Sequence, residues 1–188
     1  MERVERTNSV VNRQVILVTG GARSGKSLYA EQRASALGER RLYVATAEPN
    51  DEEMTQRIAM HRKRRSGAWI TVEEPVELSA ALLEQRGKID CVLVDCLTLW
   101  LSNLLLRRDA EYAGEKVKEL VETLPSLEFH VVLVTNEIGS GIVPDNALAR
   151  QFRDLVGWAN QQLAAIASEV VLTVAGLPMT VKKTNTCL

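Results

Sequence analysis

The sequence predicts an α/β fold: a mostly parallel sheet with helices on both faces. Two observations predict it. Short, nearly continuous apolar runs recur at residues 14–19 (QVILVT), 89–95 (IDCVLVD) and 130–135 (HVVLVT), as in strands buried on both faces. Segments with helical spacing lie between them, and strand–helix alternation is the signature of a parallel sheet. At 188 residues, with 46% hydrophobic residues, the chain is long enough for one well-buried core.

Each element has its own reason. Residues 14–19 form the first strand, followed by a glycine-rich turn at 20–27 and a helix over 28–37 that Gly38 closes. Residues 41–47 (RLYVATA) form a second strand. Asn50 opens the next helix as N-cap, with Glu53 in capping-box position. Acidic residues 51–53 crowd its start and basic residues 62–65 its end. Residues 69–72 read as a short extended piece, 76–85 as a helix after Pro75, and 89–95 as a strand. The apolar segment 97–106 is helical, and the amphipathic segment 112–124 is a helix stopped by Pro125. After the strand 130–135 and a Gly/Pro loop, 145–168 is a long helix, with Leu148, Phe152, Leu155, Val156, Ala159 and Leu163 on one face. A strand over 169–175 and a small extension at 179–183 end the pattern. With no repeat or linker, residues 14–188 read as one domain. Residues 1–13, polar and charged, read as a flexible leader.

Composition excludes several functions. Lys and Arg number 23 against 24 Asp and Glu, so a broadly basic nucleic-acid surface is not expected. Two histidines, His61 and His130, are too few for a His-rich metal site. Three cysteines without C-x-x-C spacing give neither a zinc site nor a disulfide framework. Free thiols, no signal peptide and no apolar run long enough to span a bilayer make a cytoplasmic location the expectation.

Gly20-Gly21-Ala22-Arg23-Ser24-Gly25-Lys26-Ser27 fits G-x-x-x-x-G-K-[ST], between a buried strand and a helix. Such a loop turns backbone amides toward phosphate oxygens, and the helix N-terminus favours the same anion. Lys26 would bridge the terminal phosphates and Ser27 would ligate Mg²⁺. The fold expected is therefore P-loop NTPase-like, with a nucleoside triphosphate bound at the loop. Asp95 closes a buried strand at the carboxyl edge, where it would hold Mg²⁺; the alternative is an N-cap for the helix that follows. Glu137, just beyond another such strand, would orient a hydroxyl or assist proton transfer; the alternative is turn chemistry.

His61 shares a helical face with Met54 and Ile58, beside Arg62, Lys63, Arg64 and Arg65. Neighbouring cations favour a neutral, nucleophilic imidazole, but a structural helix-terminal histidine fits the same spacing. His130 reads as structural. On residues alone, a P-loop kinase of a small alcohol and a nucleotide-gated binding protein both stay open.

A longer set of segments resembles one family. LVTGGARSGKS (17–27), VATA (44–47), DEEMTQRIAMHR (51–62), W-x-T-x-E (69–73), VDCLTLWLSNLL (94–105) and VTNEIGSGIVPDNALARQFRDLVGWANQQLA (134–164) run in the order found in bifunctional adenosylcobinamide kinase/adenosylcobinamide-phosphate guanylyltransferases. The resemblance implies a kinase step on adenosylcobinamide using ATP or GTP. It also implies transfer of GMP from GTP through a guanylylated histidine, which in the R-I-x-x-H segment is His61. It further implies that Ala45, Thr46, Ala47, Arg62 to Arg65 and Glu73 line the nucleotide site, and that the protein is a homotrimer. The chain departs from the family pattern at Ala47 (Ser in some relatives), at Asp95 (Glu in some) and at 64–67, where an expected proline is absent.

Overall fold

The computed structural model describes residues 13–48, 52 and 69–184. The leader before Arg13, the helix expected from Asn50, and His61 with Arg62, Lys63, Arg64 and Arg65 lie outside the described residues.

The described strands are β1 (Val15–Gly20), β2 (Arg41–Ala45), β3 (Trp69–Glu73), β4 (Cys91–Asp95), β5 (His130–Val134), β6 (Glu169–Val174) and β7 (Leu177–Lys183). The helices are α1 (Lys26–Ser35), α2 (Leu78–Leu83), α3 (Leu97–Arg107), α4 (Ala110–Thr123) and α5 (Ala147–Ile166). The strands form one sheet in the order β3-β2-β4-β5-β1-β6-β7. All neighbouring pairs are parallel except β6–β7, a hairpin turned at Ala175–Gly176.

Alternation along the strands divides the core into two layers. Ile16 and Val18 of β1, Leu93 of β4, and Val132 and Val134 of β5 pack with Ala30 and Ala34 of α1. The other face, including Leu17, Val44, Val92 and Leu133, is covered by α2 to α5. The fully buried Leu93, Val94, Leu133 and Val134 explain why β4 and β5 read as continuous apolar runs.

Several boundaries move for local reasons. Helix α1 starts at Lys26, two residues before the expected start, because Gly25 takes the N-cap position and Lys26-Ser27 become its first residues. Strand β2 ends at Ala45, two residues before the expected end, although Thr46 N–H still donates to Asp95 O of β4 at 3.4 Å. Helix α2 is shorter than the expected 76–85. The Glu74 carboxylate accepts from the N–H groups of Val76 (2.8 Å) and Glu77 (2.7 Å), forming a turn that delays the helix to Leu78. The extended piece at 69–72 is the full edge strand β3, and the small extension at 179–183 is the seven-residue β7. No helix among the described residues is long and apolar enough to cross a membrane.

Candidate functional site

The parallel register aligns the expected site residues at one edge. Glu73, Ala45, Asp95, Val134 and Val18 stand in one row across β3, β2, β4, β5 and β1. The glycine-rich loop leaves β1 two residues beyond that row, at Gly20. Side chains alternate along a strand, so Asp95 shares its face with Cys91 and Leu93, the face that α1 covers. Asp95 and Lys26 are thus brought to the same side of the same edge.

Two glycines shape the loop. A Cβ on Gly20 would meet Ser24 Oγ and Thr173 Oγ1 at 2.5 Å, leaving no space for a side chain. Gly25 has φ 92°, in the left-handed region, and caps α1 without a side-chain hydrogen bond. Gly21, Ala22 and Arg23 are exposed, while Ser24 is buried. Ser24 N–H donates to Gly21 O at 3.3 Å, and the Lys26 ammonium donates to the same carbonyl at 3.0 Å. Ser27, the second residue of α1, is partly exposed beside it.

Burial lowers the Lys26 pKa from the ordinary lysine value. The nearby Asp95 carboxylate opposes that shift through its negative charge. The Asp95 carboxylate also accepts from the Tyr43 hydroxyl at 3.1 Å. Cys96, not Asp95, holds the N-cap position of α3, so the capping alternative for Asp95 does not describe this edge. The Cys96 thiol, wholly buried, is pushed up to about 12 and is no nucleophile.

Ala45 and Ala47 are partly exposed at the edge, and Glu73 is exposed at the end of β3. Thr46 is fully buried. Its hydroxyl donates to Cys96 O (2.7 Å) and accepts from Cys96 N–H (2.9 Å), so it fixes the backbone after Asp95. Glu137 is exposed, and its N–H donates to Gly20 O at 3.1 Å, which ties its loop to the glycine turn. Its carboxylate accepts from the N–H groups of Gly139 (2.8 Å) and Ser140 (3.2 Å). A side-chain hydrogen bond from Ser140, with those backbone donors, holds its pKa below the usual glutamate value.

The residue patterns read above did not single out four polar groups that build this edge: Tyr43, Asn103, Thr135 and Thr173. Asn103 donates to Thr46 O (2.8 Å) and Pro75 O (3.2 Å). Thr135 donates to Asn160 Oδ1 (2.8 Å) below the Glu137 loop. The available signal was a polar residue interrupting an apolar run, as in LTLWLSNLLL and EVVLTV, since a buried polar group must find a partner.

The arrangement suits a triphosphate: a glycine loop and helix N-terminus for the anion, an ammonium above them, and a hydroxyl and carboxylate that could share a metal ion. Solved structures share the architecture. The P4 protein of bacteriophage φ6, solved with ADP, has a TM-score of 0.51 at 16% identity over 92% of this chain and 56% of that one. A Pyrococcus horikoshii protein has a TM-score of 0.56 at 10% identity over 94% and 90%. These likenesses identify a P-loop NTPase-like fold. The bifunctional adenosylcobalamin biosynthesis protein CobP of Pseudomonas aeruginosa is 47% identical over 166 residues, covering 88% of this chain and 96% of that protein. The CobU proteins of Escherichia coli and Salmonella typhimurium are each 40% identical over 89% of this chain and 99% of theirs. The family model for cobinamide kinase/cobinamide phosphate guanyltransferase matches residues 16–181, phosphate loop and carboxyl edge included, and the chain belongs to that family.

Proposed function

We propose that this chain phosphorylates the aminopropanol hydroxyl of adenosylcobinamide with ATP or GTP, then transfers GMP from GTP to the resulting phosphate, giving adenosylcobinamide-GDP. The observation that carries this is the placement of Lys26, at the start of α1, and Asp95 on the same side of the carboxyl edge beside the phosphate loop, in a chain that matches the bifunctional family over residues 16–181. One domain, residues 14–188, carries both steps.

In the kinase step the substrate hydroxyl attacks the γ-phosphorus and the bond to the β-phosphate oxygen breaks. Loop amides and Lys26 hold the phosphates and offset the charge that develops on the leaving diphosphate. Ser27 and Asp95 are the residues that would hold Mg²⁺. Hard oxygen donors suit that ion, which is commonly bound by one or two carboxylates with substrate phosphates. When bound, the ion neutralises phosphate charge. Glu137, kept ionised by its loop, is the carboxylate we assign to accepting a hydrogen bond from the substrate hydroxyl.

In the transfer step a neutral His61 imidazole attacks the α-phosphorus of GTP and pyrophosphate leaves. A phosphate oxygen of the cobinamide phosphate then attacks the same phosphorus and the imidazole departs. Ala45, Thr46, Ala47, Arg62, Lys63, Arg64, Arg65 and Glu73 are assigned to the nucleotide site. His130 is a poor rival acceptor: it starts β5 at the opposite, amino edge, where its Nδ1 accepts from Gln14 N–H at 3.2 Å. We further propose a cytoplasmic homotrimer. The exposed apolar residues Val174, Leu177 and Met179 on the β6–β7 hairpin are in keeping with an assembly surface.

The kinase step is tested by γ-labelled ATP and adenosylcobinamide. Label should pass to the corrinoid with the wild-type protein and fall at least about a hundredfold with Lys26→Ala. Undiminished transfer by that variant would refute the role of the loop.

A further inference from the structure

We infer that Thr173, on a strand far from the phosphate loop in sequence, is a positioning residue that holds the loop in its binding shape. This rests on the reading that the loop binds nucleotide phosphates. Thr173 is a polar residue in the apolar strand β6 and is 1% exposed, so its hydroxyl must be satisfied internally. It stands opposite Gly20 in the β1–β6 ladder. Its Oγ1 donates to Thr19 O at 3.2 Å. That carbonyl can only accept, which uses the one hydroxyl proton. Ser24 Oγ, 2.8 Å from Thr173 Oγ1, must therefore be the donor in their shared bond.

The consequence for Ser24 is direct. Its hydroxyl proton points down into the sheet toward Thr173, so Ser24 serves the loop through shape. Its carbonyl accepts from Gly176 N–H at 2.9 Å, which pins the same residue to the β6–β7 turn. Gly25 lies over that turn, where an added Cβ would come within 3.0 Å of Gly176 Cα. Backbone and side chain together strap the arch of the loop onto the hairpin. Pre-ordering the loop lowers the entropy lost when phosphate binds, so the strap acts on nucleotide affinity.

The test uses the full chain and equilibrium dialysis of MgGTP, with saturating kinase turnover and thermal melting measured beside it. Thr173→Val should weaken MgGTP binding about tenfold, as expected for a buried donor left without its acceptor, and change saturated turnover by less than about threefold. Thr173→Ser, which keeps the hydroxyl, should bind within about twofold of wild type. Ser24→Ala leaves the Thr173–Thr19 bond intact and should show a similar loss, which decides the matter even if Thr173→Val fails to fold. The double variant should bind no more weakly than the weaker single one, because both remove the same bond. Wild-type affinity in both Thr173→Val and Ser24→Ala, an equally weak Thr173→Ser, or multiplying effects would overturn the inference. If wild type binds MgGTP no better than Lys26→Ala, the nucleotide reading and the strap fall together. If binding is intact but no phosphate reaches cobinamide, only the substrate assignment fails and the Thr173 comparison still decides.

Discussion

His130 shows how a single residue's surroundings decide its chemistry. Burial holds its pKa below the ordinary histidine value, the Arg33 guanidinium adds to that shift, and Asp90 opposes it. Its Nδ1 accepts a backbone hydrogen bond, which only the neutral ring can do. The unfolded chain therefore takes up this proton at a higher pH than the folded one. Stability falls as pH drops from about 6.5 toward the lowered folded value. Replacing His130 by Gln should flatten that part of the urea-midpoint profile between about pH 7.5 and 5.5, relative to wild type. An unchanged slope would contradict the stated environment. Glu137 is the contrasting residue. Its sequence context left turn chemistry and a role at the substrate hydroxyl equally open; the bonds to Gly139 and Ser140 show its turn contacts, and the substrate role is the one proposed above. Asp95 was legible because a charge closing an apolar strand lies at the carboxyl edge whatever the details of packing.

Helix α3 is the element that ties this edge together. It is apolar nearly all round, as expected of a buried helix, and three of its side chains hold loops. Trp100 Nε1 donates to Val76 O at 2.8 Å, Asn103 reaches the loops after β2 and β3, and Thr98 Oγ1 accepts from Asn136 N–H at 2.8 Å. Asn103→Leu keeps much of the volume but leaves the buried Thr46 carbonyl and the half-buried Pro75 carbonyl without this donor. It should cost about 2 kcal/mol of stability, read from urea unfolding; a loss below about 0.5 kcal/mol would show that the loops do not depend on it. The apolar run made this helix visible in sequence. Its partners were not visible, because which carbonyl Asn103 meets depends on strand order. The same holds at β3: residues 69–72 read as a short extended piece because a one-sided edge strand, with Ile70 and Thr71 exposed, lacks a buried run.

At the scale of the molecule, the parallel sheet, the two helical layers and the carboxyl-edge site were all legible, since each rests on apolar runs and one glycine motif. Strand order was not. The insertion of β5 between β1 and β4, and the antiparallel return of β7, depend on contacts between distant segments that no local pattern encodes. That order sets the distances between the phosphate loop, Asp95 and the Glu137 loop, and it brings Thr173 beneath Ser24. The family assignment adds the second reaction, which requires a nucleophile that the phosphate loop does not supply. The most direct measurement of the two-reaction account incubates the protein with Mg²⁺ and GTP labelled at either the α- or the γ-phosphate, then denatures it. The account predicts protein-bound, acid-labile and alkali-stable label from the α-position alone, present in His130→Gln and absent in His61→Ala. Label from the γ-position alone, or α-label undiminished in His61→Ala, would contradict it.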